Sequence, residues 1–243
     1  MLVYFNIKMV QFNLKKKQNR KKLYSKKNNI LSKNGNELIN DKLKLIKQDF
    51  HSCLFIDEIV EIKTKKIIQY DICNIDEINE INKEYSGVIS NFGTQMAFAN
   101  NLDSSIKSIY NRLSKDGLFC FNLLTPKSMK TISKIFIEID ENVFKGTFNR
   151  FGPFHDVSTV IEKLSQNSFK EIVVGTNYIE FNYKSFDSLR GDFRDFGISN
   201  YYKNVPKFKK EFLIKTYSVF SKIIEKYNYI PVEFEIATFT SWK

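Results

Sequence analysis

A chain of 243 residues, 42% hydrophobic and 27% charged, is long enough for one substantial core and has the composition of a globular protein. No run of 18 apolar residues occurs, which excludes a transmembrane helix on hydropathy grounds. No apolar stretch follows the early basic residues as a secretory signal would require. Three cysteines, Cys53, Cys73 and Cys120, lie far apart among apolar neighbours, which argues against a disulfide framework and for buried thiols in a reducing compartment, most simply the cytoplasm. Two histidines are too few for a His-based metal centre, and no metal is expected.

The net charge of +11 is unevenly placed. Residues 1–50 hold 13 of the 38 Lys and Arg but 3 of the 27 Asp and Glu, which leaves 25 against 24 for the remainder. The basicity is thus an N-terminal feature, densest from Lys15 to Lys27, and reads first as a solvated helix face. Contact with an anionic membrane surface remains open. A charge run without base-reading or stacking geometry does not indicate nucleic-acid binding.

In chain order, residues 10–49 read as helical, with Ile39, Leu43 and Ile46 at helical spacing. Cys53–Ile56 fits a buried strand, and Lys66–Ile72 a second strand ending near an acid. Tyr85–Asn91 gives a third strand and Leu102–Leu113 a helix. Ser114–Gly117 reads as a turn and Leu118–Leu123 as an apolar strand from the middle of a sheet. Strand, helix, turn and strand in this order make a parallel βαβ unit. Helices follow over about Ser128–Ile139 and Asp156–Gln166. Glu171–Val174 and Tyr178–Tyr183 read as two strands, Phe186–Phe196 and Lys207–Tyr227 as helices. Val232–Thr240 alternates as a closing strand.

Several segments together resemble the class I S-adenosylmethionine-dependent methyltransferases. Tyr85–Asn91 is similar to their fourth strand, with Ser86 in place of the usual Asp. Gln95–Leu102 resembles the loop that follows, and Asn111–Phe119 the helix end and Asp-Gly turn before the fifth strand. Beyond the generic fold, Arg150–Val157, Leu189–Asn200, and Ile230–Ile236 running on to Trp242 resemble two groups. These are the malonyl-acyl-carrier-protein O-methyltransferase of biotin synthesis and the methyltransferase-like, arginine-hydroxylating assembly factors of respiratory complex I. Phe12–Arg20 is similar to the basic opening of the assembly factors and favours that group. The resemblance implies an α/β, Rossmann-like sheet, mostly parallel with an antiparallel C-terminal edge, truncated near its first strands. It implies a helical N-terminal extension over 1–49 and a methyltransferase-like domain over 50–243, with a helical and strand insertion in 149–230.

The resemblance also implies S-adenosyl-L-methionine as cofactor, a small-molecule or protein acceptor, and possibilities of partnership with another protein. The Gly-x-Gly-x-Gly loop that should follow the first strand is missing. Leu54–Glu61 holds no glycine, and none occurs between Asn36 and Ser86. Only 34 residues separate Phe50 from Tyr85, too few for the βα units expected there. The cofactor wall that remains is Asp71 and Ile72 toward adenine, with Asn91, Phe92 and Gly93 beneath the ligand. Asp71 aligns either with the acid ending the second strand or with the Asp before the fourth, or it caps a turn. The loss of the loop leaves two functional readings: an S-adenosylmethionine-dependent enzyme with weakened cofactor binding, and a non-catalytic assembly or binding protein on the same fold.

His155 beside Asp156 has the composition of a general-base pair, but Asp156 also stands where a helix cap belongs. Arg150 and Arg190 could fork onto a carboxylate or phosphate or serve in structural pairs. Tyr229 and Trp242 read as terminal packing anchors. Because the basic opening is read as lying outside the core, removing residues 1–28 is expected to leave a single cooperative unfolding transition, followed by circular dichroism. Loss of that transition on truncation would place the segment in the core.

Overall fold

The computed structural model describes residues 30–57, 60–196, 202, 204–206 and 209–243. The basic run Lys15–Lys27, the Phe12–Arg20 resemblance, and the Gly197–Asn200 end of the Leu189–Asn200 segment lie outside them. The elements run α1 (Ile30–Lys44), β1 (Phe50–Ile56), β2 (Ile67–Cys73), a 3-10 turn (Ile75–Glu80), β3 (Tyr85–Asn91), α2 (Gln95–Arg112) and β4 (Leu113–Leu124). Then follow α3 (Lys130–Phe144), α4 (Val157–Gln166), β5 (Lys170–Tyr183), α5 (Phe186–Phe196), α6 (Lys210–Tyr227) and β6 (Ile230–Trp242).

Six strands form one sheet in the order β2-β1-β3-β4-β6-β5. β2, β1, β3 and β4 are mutually parallel, and β6 joins β4 antiparallel. The expected parallel core, with Leu118–Leu123 central and an antiparallel closing strand near an edge, is therefore what the chain builds. β3 and the Gly117–Leu124 part of β4 are buried almost throughout, as strands in the middle of a parallel sheet are, with Val88, Ile89, Leu118, Phe119, Phe121, Leu123 and Leu124 as their apolar content.

The chain divides into two compact units. Among the described residues the larger comprises 30–130, Pro153–Phe181 and Pro231–Lys243 and contains the parallel strands with α1, α2 and α4. Its core stacks Phe119 on Phe121 at 4.1 Å and Phe121 on Phe239 at 4.7 Å between ring centroids. The smaller comprises Thr131–Gly152 and Asn182–Ile230, with α5, α6 and nearly all of α3. An aromatic cluster holds it together: Phe136 meets Phe151 at 5.2 Å, Phe151 meets Phe193 at 5.3 Å, and Phe186 stacks on Phe220 at 4.7 Å.

Three local features differ from the sequence reading. Gln95–Leu102, expected as a loop, is the first part of α2. The helix breaks at Asn101 (φ −157°, ψ 93°), whose side chain then accepts from the Ser104 N–H and caps the second half. The turn Ser114–Gly117 lies inside β4 as an irregular opening. Tyr85 pairs with Leu113 and Gly87 with Leu118, so the intervening residues bulge out, with Asp116 at φ 59°. The two strands predicted on either side of Gly175 are one strand of 14 residues, the intervening Gly175–Asn177 continuing in extended backbone. A Cβ on Gly175 would lie 2.9 Å from the Lys42 Nζ.

α1 buries Leu31, Gly35, Ile39 and Leu43, one residue per turn. Asn40 clamps the chain that leaves β1: its amide donates to the Glu61 carbonyl and accepts from the Lys63 N–H, both at 2.8 Å. Gly35 is where α1 comes closest to the sheet. A Cβ there would lie 2.2 Å from Asn91 Oδ1 and 2.7 Å from Phe92 Cε2. Gly35→Ala would gain about 1 kcal/mol of helix propensity, against an overpacking penalty of about 1–3 kcal/mol and a strained amide pair. Net destabilisation is expected, read as a lower urea midpoint at unchanged m-value. An unchanged or raised midpoint would mean that α1 does not seat here.

Candidate functional site

In open α/β sheets, ligands sit beyond the carboxyl ends of the strands, at the point where the strand order reverses. Here that point lies between β1 and β3. Asn91 ends β3, Phe92 follows in the left-handed region (φ 62°), and Asp57 leaves β1 in the same region (φ 74°). A Cβ on Gly93 would meet the Ile56 carbonyl oxygen at 2.4 Å, so only glycine lets the two chains pass this closely.

Asn91 is buried, and its amide is engaged by the chain itself. Nδ2 donates to the Ser32 carbonyl and to Asn36 Oδ1, and Oδ1 accepts from Asn122 Nδ2, all at 2.9 Å. Asn122 Nδ2 also donates to the Gly35 carbonyl at 2.8 Å, and Asn122 Oδ1 accepts from the Thr238 hydroxyl at 2.7 Å. Gln95 supplies a second anchor at this end, accepting from the Leu124 N–H at 2.8 Å and donating to the Leu124 carbonyl at 3.2 Å. Gly35, Gln95 and Asn122 were not singled out in the sequence. The available signal was a glycine within an otherwise amphipathic helix, which usually marks a packing constraint.

The predicted wall residues divide into two groups. Asn91, Phe92 and Gly93 come together at the end of β3. Asp71 lies within β2, level with Leu54 and hence with Val88. That is three residues short of Asn91, about 10 Å along the strand direction. Its carboxylate accepts from Lys83 Nζ and from the Tyr85 hydroxyl, each at 2.8 Å. The Lys83 and Tyr85 hydrogen bonds together lower its pKa. Ile72 is exposed, in register with Phe55.

His155 and Asp156 are neighbours in sequence but work apart. His155 is buried, its ring edge-on to Phe98 at 6.1 Å and its Nε2 2.7 Å from the Gln95 carbonyl oxygen, so that Nε2 carries the proton and donates. Asp156 turns to the start of α4 and accepts from the Thr159 N–H at 3.1 Å, a helix cap. Arg150 is buried and forks onto Asp140, with Nε 2.8 Å from Oδ2, and its guanidinium lies 4.3 Å from the Phe212 ring centroid. Arg190 pairs with Asp187 at 3.2 Å on the surface of α5. The three cysteines are buried and free, and burial pushes the Cys53 and Cys120 thiols up to about 12. Among the described residues no group of three or more His, Cys, Asp and Glu is placed to share a metal ion, and no helix is long and apolar enough to cross a membrane.

No protein-family profile matches the chain. A malonyl-[acyl-carrier protein] O-methyltransferase of Gallionella capsiferriformans (strain ES-2) is 27% identical over 113 residues, which are 46% of this chain and 36% of that protein. The chain thus spans about a third of the length of this curated relative. Among solved structures, the YcgJ protein of Bacillus subtilis is 7% identical at a TM-score of 0.48, covering 86% of this chain and 98% of its own. A SAM-dependent methyltransferase of Archaeoglobus fulgidus is 14% identical at 0.40, covering 86% and 94%. Phosphoethanolamine N-methyltransferase 2 of Haemonchus contortus, solved with S-adenosyl-L-methionine, is 14% identical at 0.43, covering 86% and 52%. The mostly parallel sheet and the curated match, rather than these distant superpositions, support a likeness to the class I methyltransferases as a matter of fold.

Burial lowers the pKa of His155 from its ordinary 6.5, against an opposing contribution from its bond to the Gln95 carbonyl. The folded state therefore binds this proton less readily than the unfolded state. Its contribution is fully present above about pH 6.5 and falls as the pH drops below that value. Chemical denaturation between pH 7.5 and pH 5, as experimental settings, should show stability declining with acid, with a shallower decline in His155→Gln. Equal slopes in the two proteins would mean that His155 is not held neutral.

Proposed function

We propose that this chain is a methyltransferase-fold protein that holds S-adenosyl-L-methionine weakly or not at all, and that it works on that fold as a binding or assembly protein. The observation that carries the reading is the filling of the carboxyl ends of β1 and β3 by the chain's own atoms. Gly93 packs onto the Ile56 carbonyl, and Gly35 of α1 packs onto Asn91 and Phe92. A ten-residue connection, 57–66, joins β1 to β2 without a glycine and, in its described part, without a helix. That described part offers no helix N-terminus to an anionic group.

Losing two or three backbone hydrogen bonds, each worth about 0.5–1.5 kcal/mol, weakens a ligand by roughly one to three orders of magnitude. In this reading the expected partner is another protein. In this reading the basic run Lys15–Lys27 serves as an extension to a body that includes α1, working in the cytoplasm. Nucleic acid is not an expected partner.

The second reading is S-adenosylmethionine-dependent transfer of a methyl group to a small-molecule or protein acceptor, favoured by the curated relative. The cofactor, when bound, supplies an activated methyl sulfonium. The protein's task is then positioning, which the resemblance assigns to Asp71, Ile72, Asn91, Phe92 and Gly93, of which the last three lie together at the end of β3. Calorimetric titration with S-adenosylmethionine and S-adenosylhomocysteine separates the readings. No saturable heat at micromolar ligand is expected. Residual millimolar binding should survive in His155→Ala, whose ring is turned to the Gln95 carbonyl. Micromolar affinity in the wild type would overturn the proposal and restore the enzyme.

A further inference from the structure

β2 is the edge strand of the sheet, and among the described residues no strand lies beyond it. Its outer backbone N–H and C=O groups form a ready template for another strand. The side chains make the edge unusual. Ile68 is 64% exposed, Tyr70 53% and Ile72 50%, and these alternate residues share one face of the strand. The other edge of the sheet has no such stripe, because its large exposed apolar residues, Val173 and Tyr178, fall on opposite faces of β5.

The charges flanking β2 choose the occupant. Lys63 and Lys66 are exposed before and at the start of the strand, and Asp76 and Glu77 are exposed just after its end. A partner strand complementary to this edge must be apolar at alternate positions, acidic beside the β2 start and basic beside its end. β2 itself meets that description when turned antiparallel. A two-fold axis through Tyr70 sets Tyr70 against Tyr70 and Ile68 against Ile72, twice. It also brings each copy's Lys63 and Lys66 toward the other's Asn74 to Glu77. We propose that two copies of this chain associate through β2, edge to edge, to give an isologous dimer with one continuous sheet. The lysines then serve pairing rather than edge protection, the role such residues play where an edge must stay single.

The full chain is expected to run as a dimer at micromolar concentration in size-exclusion chromatography with light scattering, and Tyr70→Lys as a monomer. Tyr70 also touches Phe55, at 5.6 Å between ring centroids. Charge reversals at exposed positions therefore provide an independent test. Lys63→Glu with Lys66→Glu, and separately Asp76→Lys with Glu77→Lys, should each weaken the dimer by about tenfold or more, since like charges then meet at both ends of the strand pair. Mixing the two variants should restore a heterodimer, because every contact becomes opposite in sign. Tyr70→Cys should cross-link on oxidation, the native thiols being buried, while Val173→Cys should not. A monomeric wild type, a dimer that survives both Tyr70→Lys and the charge reversals, or failure of the mixture to reassociate would overturn the proposal.

Discussion

Two buried amides, Asn91 at the end of β3 and Asn122 in β4, set the geometry of the larger unit. Their mutual hydrogen bond crosses two parallel strands, and each then reaches a third element: Asn91 to Ser32 and Asn36 of α1, Asn122 to the Gly35 carbonyl and to Thr238 of β6. Buried amides left without partners would be costly, so helix and strands must hold their registers together. Gly35 makes this possible, because any larger residue would hold the helix backbone away from Asn122. The seating of α1, the pairing of β4 with β6 and the closure over the end of β3 thus share one polar network.

That network explains where the sequence was legible. The parallel strands were readable because burial on both faces favours near-continuous apolar runs: Cys53–Ile56 is one, Leu118–Leu123 is broken only by Asn122, and Tyr85–Asn91 centres on Val88 and Ile89. Asp156 was readable as a cap because an acid before an apolar-periodic segment has few other uses, and it caps α4. The amide network was not readable. Asn in this chain is common enough that Asn91 and Asn122 carried no distinguishing signal, and their significance depends on Gly35, more than 50 residues away in sequence. Gln95–Leu102 was misread for a related reason. Its break at Asn101 looks like loop chemistry locally, yet the flanking residues Met96, Ala97 and Phe98 are buried as helix.

The short stretch between β1 and β3 goes with two features of the sheet. Without a helix after β1 in the described residues and without glycines to hold the chain open, the end of β1 closes on Gly93. With no further strand beyond β2 among the described residues, the sheet ends on a strand that exposes Ile68, Tyr70 and Ile72. The same sheet thus closes the end of β1 on Gly93 and carries an open edge at β2.

These two effects act on different kinds of recognition. A small-molecule site needs a concave pocket with backbone groups aimed inward, whereas an edge strand offers a line of backbone groups facing outward with side chains above and below. At that edge β2 commits Asp71 to Lys83 and Tyr85, which tie it across β1 to the start of β3. That tie steadies the outermost strand against fraying. A rigid edge loses less conformational entropy when a partner strand binds, so the residue nearest to a cofactor role by sequence acts, in this fold, to keep a docking edge in place.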